Sequence, residues 1–273
     1  MTEGSVVVAV CQFAPAADRE RNRARVAALA DEAAGRGAQV IVFPEYASYF
    51  VDPMDVTLAE NAESLDGPFV RSLHALAAAH DVVVVAGVVE RVEIDGRVHN
   101  TVVAVGADGV RARYRKQHLY DAFGQTESAW IAAGQAGAAE TFEAGGLRFG
   151  MMTCYDLRFP EVARTVADAG ADAIVVPAEW VRGPLKEQHW TTLLVARAIE
   201  NTAYVLAADH PGPIGVGLST VIDPQGVVLA GVGAGEGIAL AVLSRGAVER
   251  TREANPALRL RRYRVVPAET AQD

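Results

Sequence analysis

Five short apolar runs rich in β-branched residues punctuate the chain, over 5–12, 39–44, 81–89, 173–178 and 203–208. Runs that are apolar at nearly every position, rather than at alternate ones, predict strands buried on both faces. Between them lie Ala-rich stretches with helical periodicity, at 18–35, 69–80, 160–170 and 187–201, which predict helices packed on the sheet. Strands alternating with helices predict a layered α/β fold. Two segments break the alternation. Residues 99–116 and 217–232 each hold two strand-like runs around a turn, Asp108-Gly109 in one and Pro224-Gln225-Gly226 in the other, so both predict β-hairpins. The sheet is therefore expected to be mixed, with parallel and antiparallel neighbours.

No linker or low-complexity tract divides the 273 residues, and their number suits one large domain over 1–273. One internal echo is visible. GAQVIVFPE at 37–45 and GADAIVVPAE at 170–179 each bring a strand out of an Ala-rich helix and close on Pro and then Glu. The echo has two readings: a pair of related β-α-β halves, or two ordinary helix-to-strand junctions.

Charge narrows the partners. A formal net charge of −9 and a pI near 5.2 argue against a nucleic-acid footprint or a basic membrane-binding face, both of which need clustered Lys and Arg. A small-molecule partner is expected instead. The N-terminus carries Glu3 where a secretory signal carries positive charge, and no apolar stretch approaches the roughly 20 residues that cross a bilayer. Both cysteines, Cys11 and Cys154, sit in or beside apolar strand-like runs, which fits a chain kept reduced in the cytoplasm rather than a disulfide scaffold.

Candidate chemistry starts at Cys154. An apolar strand over 147–153 runs into it, and a helix opens near Pro160, whose fixed φ suits a first turn. A nucleophile elbow has this form, a strand-to-helix turn that presents a side chain at a sheet's carboxyl edge and leaves backbone N–H groups free for an oxyanion. Taken alone, a free cysteine is more often an inert core residue, and Cys11 in the first strand is read as one. Glu45 follows the 39–44 strand and Lys116 closes the first hairpin. Singly, one is a solvated loop carboxylate and the other part of a solvent-facing basic edge. Together, three residues that each follow a separate strand can converge on one sheet edge. Glu45 would then take the thiol proton, while Lys116 and the Tyr155 backbone N–H bind the oxyanion of a tetrahedral intermediate. His118, two residues from Lys116, is the rival base, with a loop hydrogen bond as its other reading.

In this order, the segments FPEY (43–46), YRKQHLYD (114–121) and TCYDLRFPE (153–161) resemble the three signatures of the nitrilase superfamily of carbon-nitrogen hydrolases. Similarity continues through 189–205 and 217–230, so the resemblance covers Val6 to about Leu243. It implies a four-layer α-β-β-α sandwich with mixed central sheets, paired into a homodimer or higher homo-oligomer. It also implies a Glu-Lys-Cys triad at Glu45, Lys116 and Cys154. Glu127 matches a second glutamate of the family, with a supporting role toward Lys116, substrate or water; by itself it reads as a solvated carboxylate. The implied reaction is acyl transfer in two stages through a thioester on Cys154, releasing ammonia or an amine. No cofactor or metal is implied, and the six histidines lack the close pairing of a zinc site.

Within the superfamily, CYDLRFPE followed by 189–201 is most similar to the amidase branches that include ω-amidase and deaminated-glutathione amidase, since Tyr155 and Asp156 stand where true nitrilases carry other neighbours. The loop 177–190 is expected to shape the pocket with Trp180, Arg182 and Lys186, and Arg182 or Lys186 could pair a substrate carboxylate. Arg158 is read as bracing the turn. Glu179 departs from the amidase relatives, which often have a small or amide residue there. It would either prefer a cationic group, as in enzymes acting on carbamoylated amines, or pair with Arg182. The expected activity is ω-amidase-like, with N-carbamoyl hydrolysis, a cysteine acyltransferase and an inactive binding protein as alternatives. Residues 244–266 predict a helix, then a basic run and an extended tail, whose charge has two readings: a solvated face, or a tail from about 255 that crosses to a dimer partner.

Overall fold

The computed structural model describes residues 4–268, apart from the side chains at 93 and 94. The first half runs β1 (Ser5–Gln12), α1 (Arg19–Gly35), β2 (Val40–Val42), α2 (Thr57–Asn61), α3 (Pro68–His80), β3 (Val83–Ile94), β4 (Arg97–Gly106) and β5 (Gly109–Arg115). The second runs β6 (Thr141–Ala144), β7 (Leu147–Met151), α4 (Pro160–Asp168), β8 (Ala173–Pro177), α5 (Lys186–Asn201), β9 (Tyr204–Ala208), β10 (Thr220–Ile222), β11 (Val228–Gly231), β12 (Gly237–Ser244) and α6 (Arg245–Ala254). Local signals set the helix starts. The Asp18 carboxylate accepts the Arg21 N–H at 3.0 Å to cap α1, and Pro68 and Pro160 occupy the first turns of α3 and α4.

The strands form two six-stranded sheets, ordered β12-β1-β2-β3-β4-β5 and β11-β10-β9-β8-β7-β6. In the first, β1, β2 and β3 are parallel, β12 pairs antiparallel on one side, and the β4–β5 hairpin continues the other. The second repeats this arrangement, with β7, β8 and β9 parallel, β6 antiparallel outside them and the β10–β11 hairpin on the far side. β2 and β8, the strands of the sequence echo, hold the same place in their sheets. The echo therefore reflects two related halves.

Burial explains the apolar runs. Val6, Val8 and Val10 of β1 enter a core shared with Val175, Val205 and Leu206 of the facing sheet. Ala9 and Cys11 point the other way, onto Val26 and Leu29 of α1 and Phe69 and Leu73 of α3. On the second sheet, α4 and α5 cover the outer face with Val162, Val166, Trp190 and Leu194. Strands buried on both faces have no polar side to alternate with. The result is an α-β-β-α sandwich.

Some boundaries differ from the periodicity. β2 is only three residues long, because the chain turns at Pro44 and Glu45, whereas β3 continues past residue 89 to pair with β4. The short edge strand β6 carries no strong apolar run, and the half-exposed β12, the apolar run GIALAVLS, lies outside the five runs read as strands. At the C-terminus the helix ends at Ala254, and 255–268 follow without further helix. Among the described residues no helix is long and apolar enough to cross a membrane.

Candidate active site

Loops leaving the carboxyl ends of β2, β7, β8 and β9 meet in hydrogen bonds at one end of the sandwich, the edge where parallel strands of layered folds present their functional groups. Cys154 leaves β7 through Met152 and Thr153 and starts a single 3₁₀ turn to Arg158. Its φ of 43° is left-handed, a conformation that costs a non-glycine residue about 1–2 kcal/mol and persists only where the surroundings enforce it. They do so here. The Thr153 hydroxyl donates to the Pro177 carbonyl at 2.7 Å, and fully buried Asp156 accepts the Thr153 N–H at 3.2 Å, the Tyr114 hydroxyl at 2.8 Å and the His118 N–H at 3.0 Å. Asp156 thereby ties the elbow to the loop that follows β5.

Lys116, immediately after β5, is 2% exposed and lies between two carboxylates, 2.9 Å from Glu45 Oε1 and 2.9 Å from Glu127 Oε2. Asn100 on β4 donates to both glutamates, at 2.6 and 3.2 Å. Glu127 also accepts the Tyr46 hydroxyl at 2.5 Å and the Tyr120 N–H at 2.6 Å, and Glu45 Oε2 accepts the Glu179 N–H at 2.7 Å. Burial alone would lower the Lys116 ammonium, but Glu127 and Glu45 outweigh it and hold the group well above its ordinary value. The Cys154 thiol is pushed well up by burial and by Glu45, against the pull of Lys116, so it rests protonated and donates to the Glu179 carbonyl at 3.3 Å. Such a thiol needs a base at the moment it attacks.

These groups line a cavity of about 230 Å³ whose walls include Glu45, Lys116, Glu127, Cys154 and Glu179. Beside Cys154 a small recess opens between Tyr155, Arg158, Trp180 and Lys186. The Arg158 guanidinium lies 4.7 Å from the Trp180 ring centre, and Lys186 Nζ lies 4.0 Å from that of Phe123 while donating to the Tyr120 hydroxyl at 2.7 Å. The site thus sets carboxylates around one ammonium on one side of the thiol and two further cations on the other.

Comparison with known proteins places the chain in a family. The sequence profile of the carbon-nitrogen hydrolase family matches residues 7–253. The chain belongs to that family. This hydrolase is an enzyme acting on amides. It is 39% identical over 259 residues to deaminated glutathione amidase of Escherichia coli O157:H7, covering 94% of this chain and 98% of the relative. It is 30% identical over 271 residues to the chloroplastic omega-amidase of Arabidopsis thaliana, covering 93% and 72%. The crystal structure of Saccharomyces cerevisiae Nit3, a member of branch 10 of the nitrilase superfamily, superposes with a TM-score of 0.82 at 26% identity, over 95% of this chain and 97% of that one.

Other candidates of the hydrolase fall in different places. His118 stacks on Phe159 with ring centres 3.7 Å apart and holds its Nδ1 2.9 Å from Asp156, so its ring is engaged in the loop. Arg182 lines neither cavity; it is 45% exposed and its charged neighbour, 4.0 Å away, is Glu187. The Arg182–Glu179 pair, one of the two readings of Glu179, is therefore absent, because the strand-like stretch after β8 sends successive side chains to opposite sides. Arg158, read from sequence as a turn brace, belongs to the recess. Asn100, Tyr46 and His210 escaped the sequence reading, though Tyr46 stands inside FPEY and Asn100 lies opposite Lys116, whose N–H it accepts at 2.9 Å.

Proposed function

We propose that Cys154, Glu45 and Lys116 form a Glu-Lys-Cys triad that hydrolyses the terminal amide of a small dicarboxylic acid ω-amide, releasing ammonia through a thioester. The observation that carries this reading is one cavity in which the elbow thiol shares its walls with a buried Glu45–Lys116–Glu127 cluster. As Sγ bonds to the amide carbon, the thiol proton passes to Glu45 and the carbonyl π pair moves to oxygen. The oxyanion is met by the Lys116 ammonium and the Tyr155 N–H. Collapse breaks the C–N bond, with Glu45 returning the proton to the departing ammonia. Water then attacks the thioester with Glu45 again as base, and the thiolate leaves and is reprotonated. Glu127 and Asn100 keep Lys116 in place throughout.

A cavity of about 230 Å³ suits a small substrate. Lys186 and Arg158 offer cations for a distal carboxylate, with Trp180 as the wall between them. The names of the relatives, deaminated glutathione amidase and omega-amidase, support the same class. The chain acts as one catalytic unit, in our reading a homodimer in a reducing cytoplasm, which suits two buried, unpaired cysteines. Ammonia release from a panel of ω-amides, carbamoyl amines and nitriles tests the proposal, with Cys154→Ala as blank. Release from ω-amides that Cys154→Ala abolishes, while the variant stays folded, is expected. An active Cys154→Ala protein, or release from carbamoyl amines alone, overturns it.

A further inference from the structure

Glu179 is a buried cavity side chain that this chemistry leaves unused. Its backbone is committed, with the N–H on Glu45 Oε2 at 2.7 Å and the carbonyl accepting the Cys154 thiol at 3.3 Å. Its carboxyl is not. The residue is 7% exposed, it lines both the cavity and the recess, and its Oε1 is buried with no hydrogen-bond partner among the described residues. Among the described residues, none of the nearby cations forms an ion pair or hydrogen bond with it: Lys116 is held by Glu45 and Glu127, Lys186 donates to the Tyr120 hydroxyl, Arg182 lies near Glu187, and Arg158, which shares the recess, lies over the Trp180 ring with Nη2 3.4 Å from His189 Nδ1. Buried polar groups are normally paired, so an orphan beside the nucleophile marks a partner that arrives with the substrate.

The surroundings decide its charge. Facing it are Glu45 beyond β2, Asp52, Lys116 beyond β5, Tyr120, Cys154 beyond β7 with Tyr155 and Arg158 of the turn that follows, Lys186 at the start of α5 and Asp209 beyond β9. Burial first, then Asp209 and Glu45, push the Glu179 carboxyl well above the usual carboxylate range against the opposing pull of Lys116. A neutral carboxyl has one O–H to donate and oxygens to accept, but no charge to offer an ammonium.

We propose that Glu179 is a substrate-binding, specificity-determining residue whose unpartnered carboxyl pairs with an uncharged polar group, a hydroxyl or a carbonyl, on the acyl side of the amide beside the scissile carbon. The inference rests on the amide-hydrolase reading of the site and names which amides it prefers. An alkyl neighbour leaves the buried acid unpaired. An ammonium neighbour must shed its water without gaining an anionic partner.

The test compares kcat/KM for ammonia release from glutaric acid monoamide and from its analogues bearing a hydroxyl or an ammonium on the carbon next to the amide, using the full chain and its Glu179→Ala and Glu179→Gln variants. The wild type is expected to favour the hydroxyl analogue by about tenfold or more, the worth of one hydrogen bond to a buried group. Glu179→Ala should lose that preference mainly through KM, with a melting temperature at or above the wild type because an unpaired buried acid is gone. Glu179→Gln, also a neutral donor and acceptor, should keep it. KM for the hydroxyl analogue should rise at alkaline pH in the wild type and stay level in Glu179→Gln. A preference that survives in Glu179→Ala, or an ammonium preference that Glu179→Gln abolishes, overturns the inference while ammonia release still supports the amide reading. Silence of all three amides and of the wider panel overturns both.

Discussion

His210 shows how burial sets the charge states that hold this site. It follows β9, is 2% exposed, donates from Nε2 to the Glu45 carbonyl at 2.7 Å, and meets Phe50 edge-on at 5.0 Å. Burial outweighs that hydrogen bond and lowers its pKa from 6.5 to about 4. The folded protein therefore keeps the imidazole neutral where the unfolded chain protonates it. A depressed folded pKa contributes stability that is fully present above about 6.5 and is lost as pH falls through about 4. The gap corresponds to about 3 kcal/mol. In denaturant titrations near neutral pH and near pH 4, His210→Gln should lose about 3 kcal/mol less than the wild type between the two conditions; equal losses would count against this role. Lys116 makes the complementary case. Lys116→Ala leaves Glu45 and Glu127 buried without their cation, and should cost about 3–5 kcal/mol in denaturant unfolding besides turnover.

Secondary elements place these residues through backbone contacts as much as through side chains. Gly87, within β3, lies directly under the turn that carries Glu45. Its N–H donates to the Pro44 carbonyl at 3.1 Å, and its own carbonyl accepts the Ser48 N–H at 3.2 Å. A Cβ at this position would fall 2.5 Å from Tyr46 N and 2.6 Å from Glu45 Cα, atoms of the main chain that cannot swing aside. Gly87→Ala should therefore displace the turn, costing about 1–3 kcal/mol in stability and about a hundredfold in kcat, since a small misplacement of a reacting group has that effect. A variant with wild-type kcat would remove the contact from the account. The sequence reading placed the long helices and the hairpins because each carries its own signal in caps, turn residues or periodicity. It missed β6, a four-residue edge strand with no apolar run of its own that is held by β7, and β12, an apolar run that pairs with β1 at the sheet edge.

At the scale of the whole molecule, the like order of the two sheets accounts for two glutamates meeting across the sandwich. Glu45 leaves β2 and Glu179 leaves β8, equivalent strands in equivalent sheets, and the backbone of the second grips the side chain of the first. The Glu45 carboxylate belongs to the ion cluster, whereas Glu179 Oε1 has no hydrogen-bond partner among the described residues. The segment after α6 leaves Leu260, Tyr263 and Val266 67%, 90% and 75% exposed, apolar surface a single chain does not cover. Light scattering should accordingly give twice the 28.9 kDa chain mass, and a chain ending at Ala254 should shift toward the monomer. A monomeric full-length protein would refute the proposed dimer.

Sequence alone determined the layered α/β class and both hairpins and singled out Glu45, Lys116, Glu127 and Cys154 as candidates, because strand and turn signals are local and the three motifs are short and ordered. Only tertiary structure decided what surrounds them. Whether Glu179 meets Arg182, whether Arg158 faces a recess, and which buried group is left unpaired all depend on contacts between residues far apart in the chain. For example, Glu179 and Glu45 touch across 134 positions. Those contacts also fix the dielectric around each charge, so the Glu179 carboxyl, which reads in sequence as a charged specificity residue, is pushed by burial and by Asp209 and Glu45 well above the usual carboxylate range.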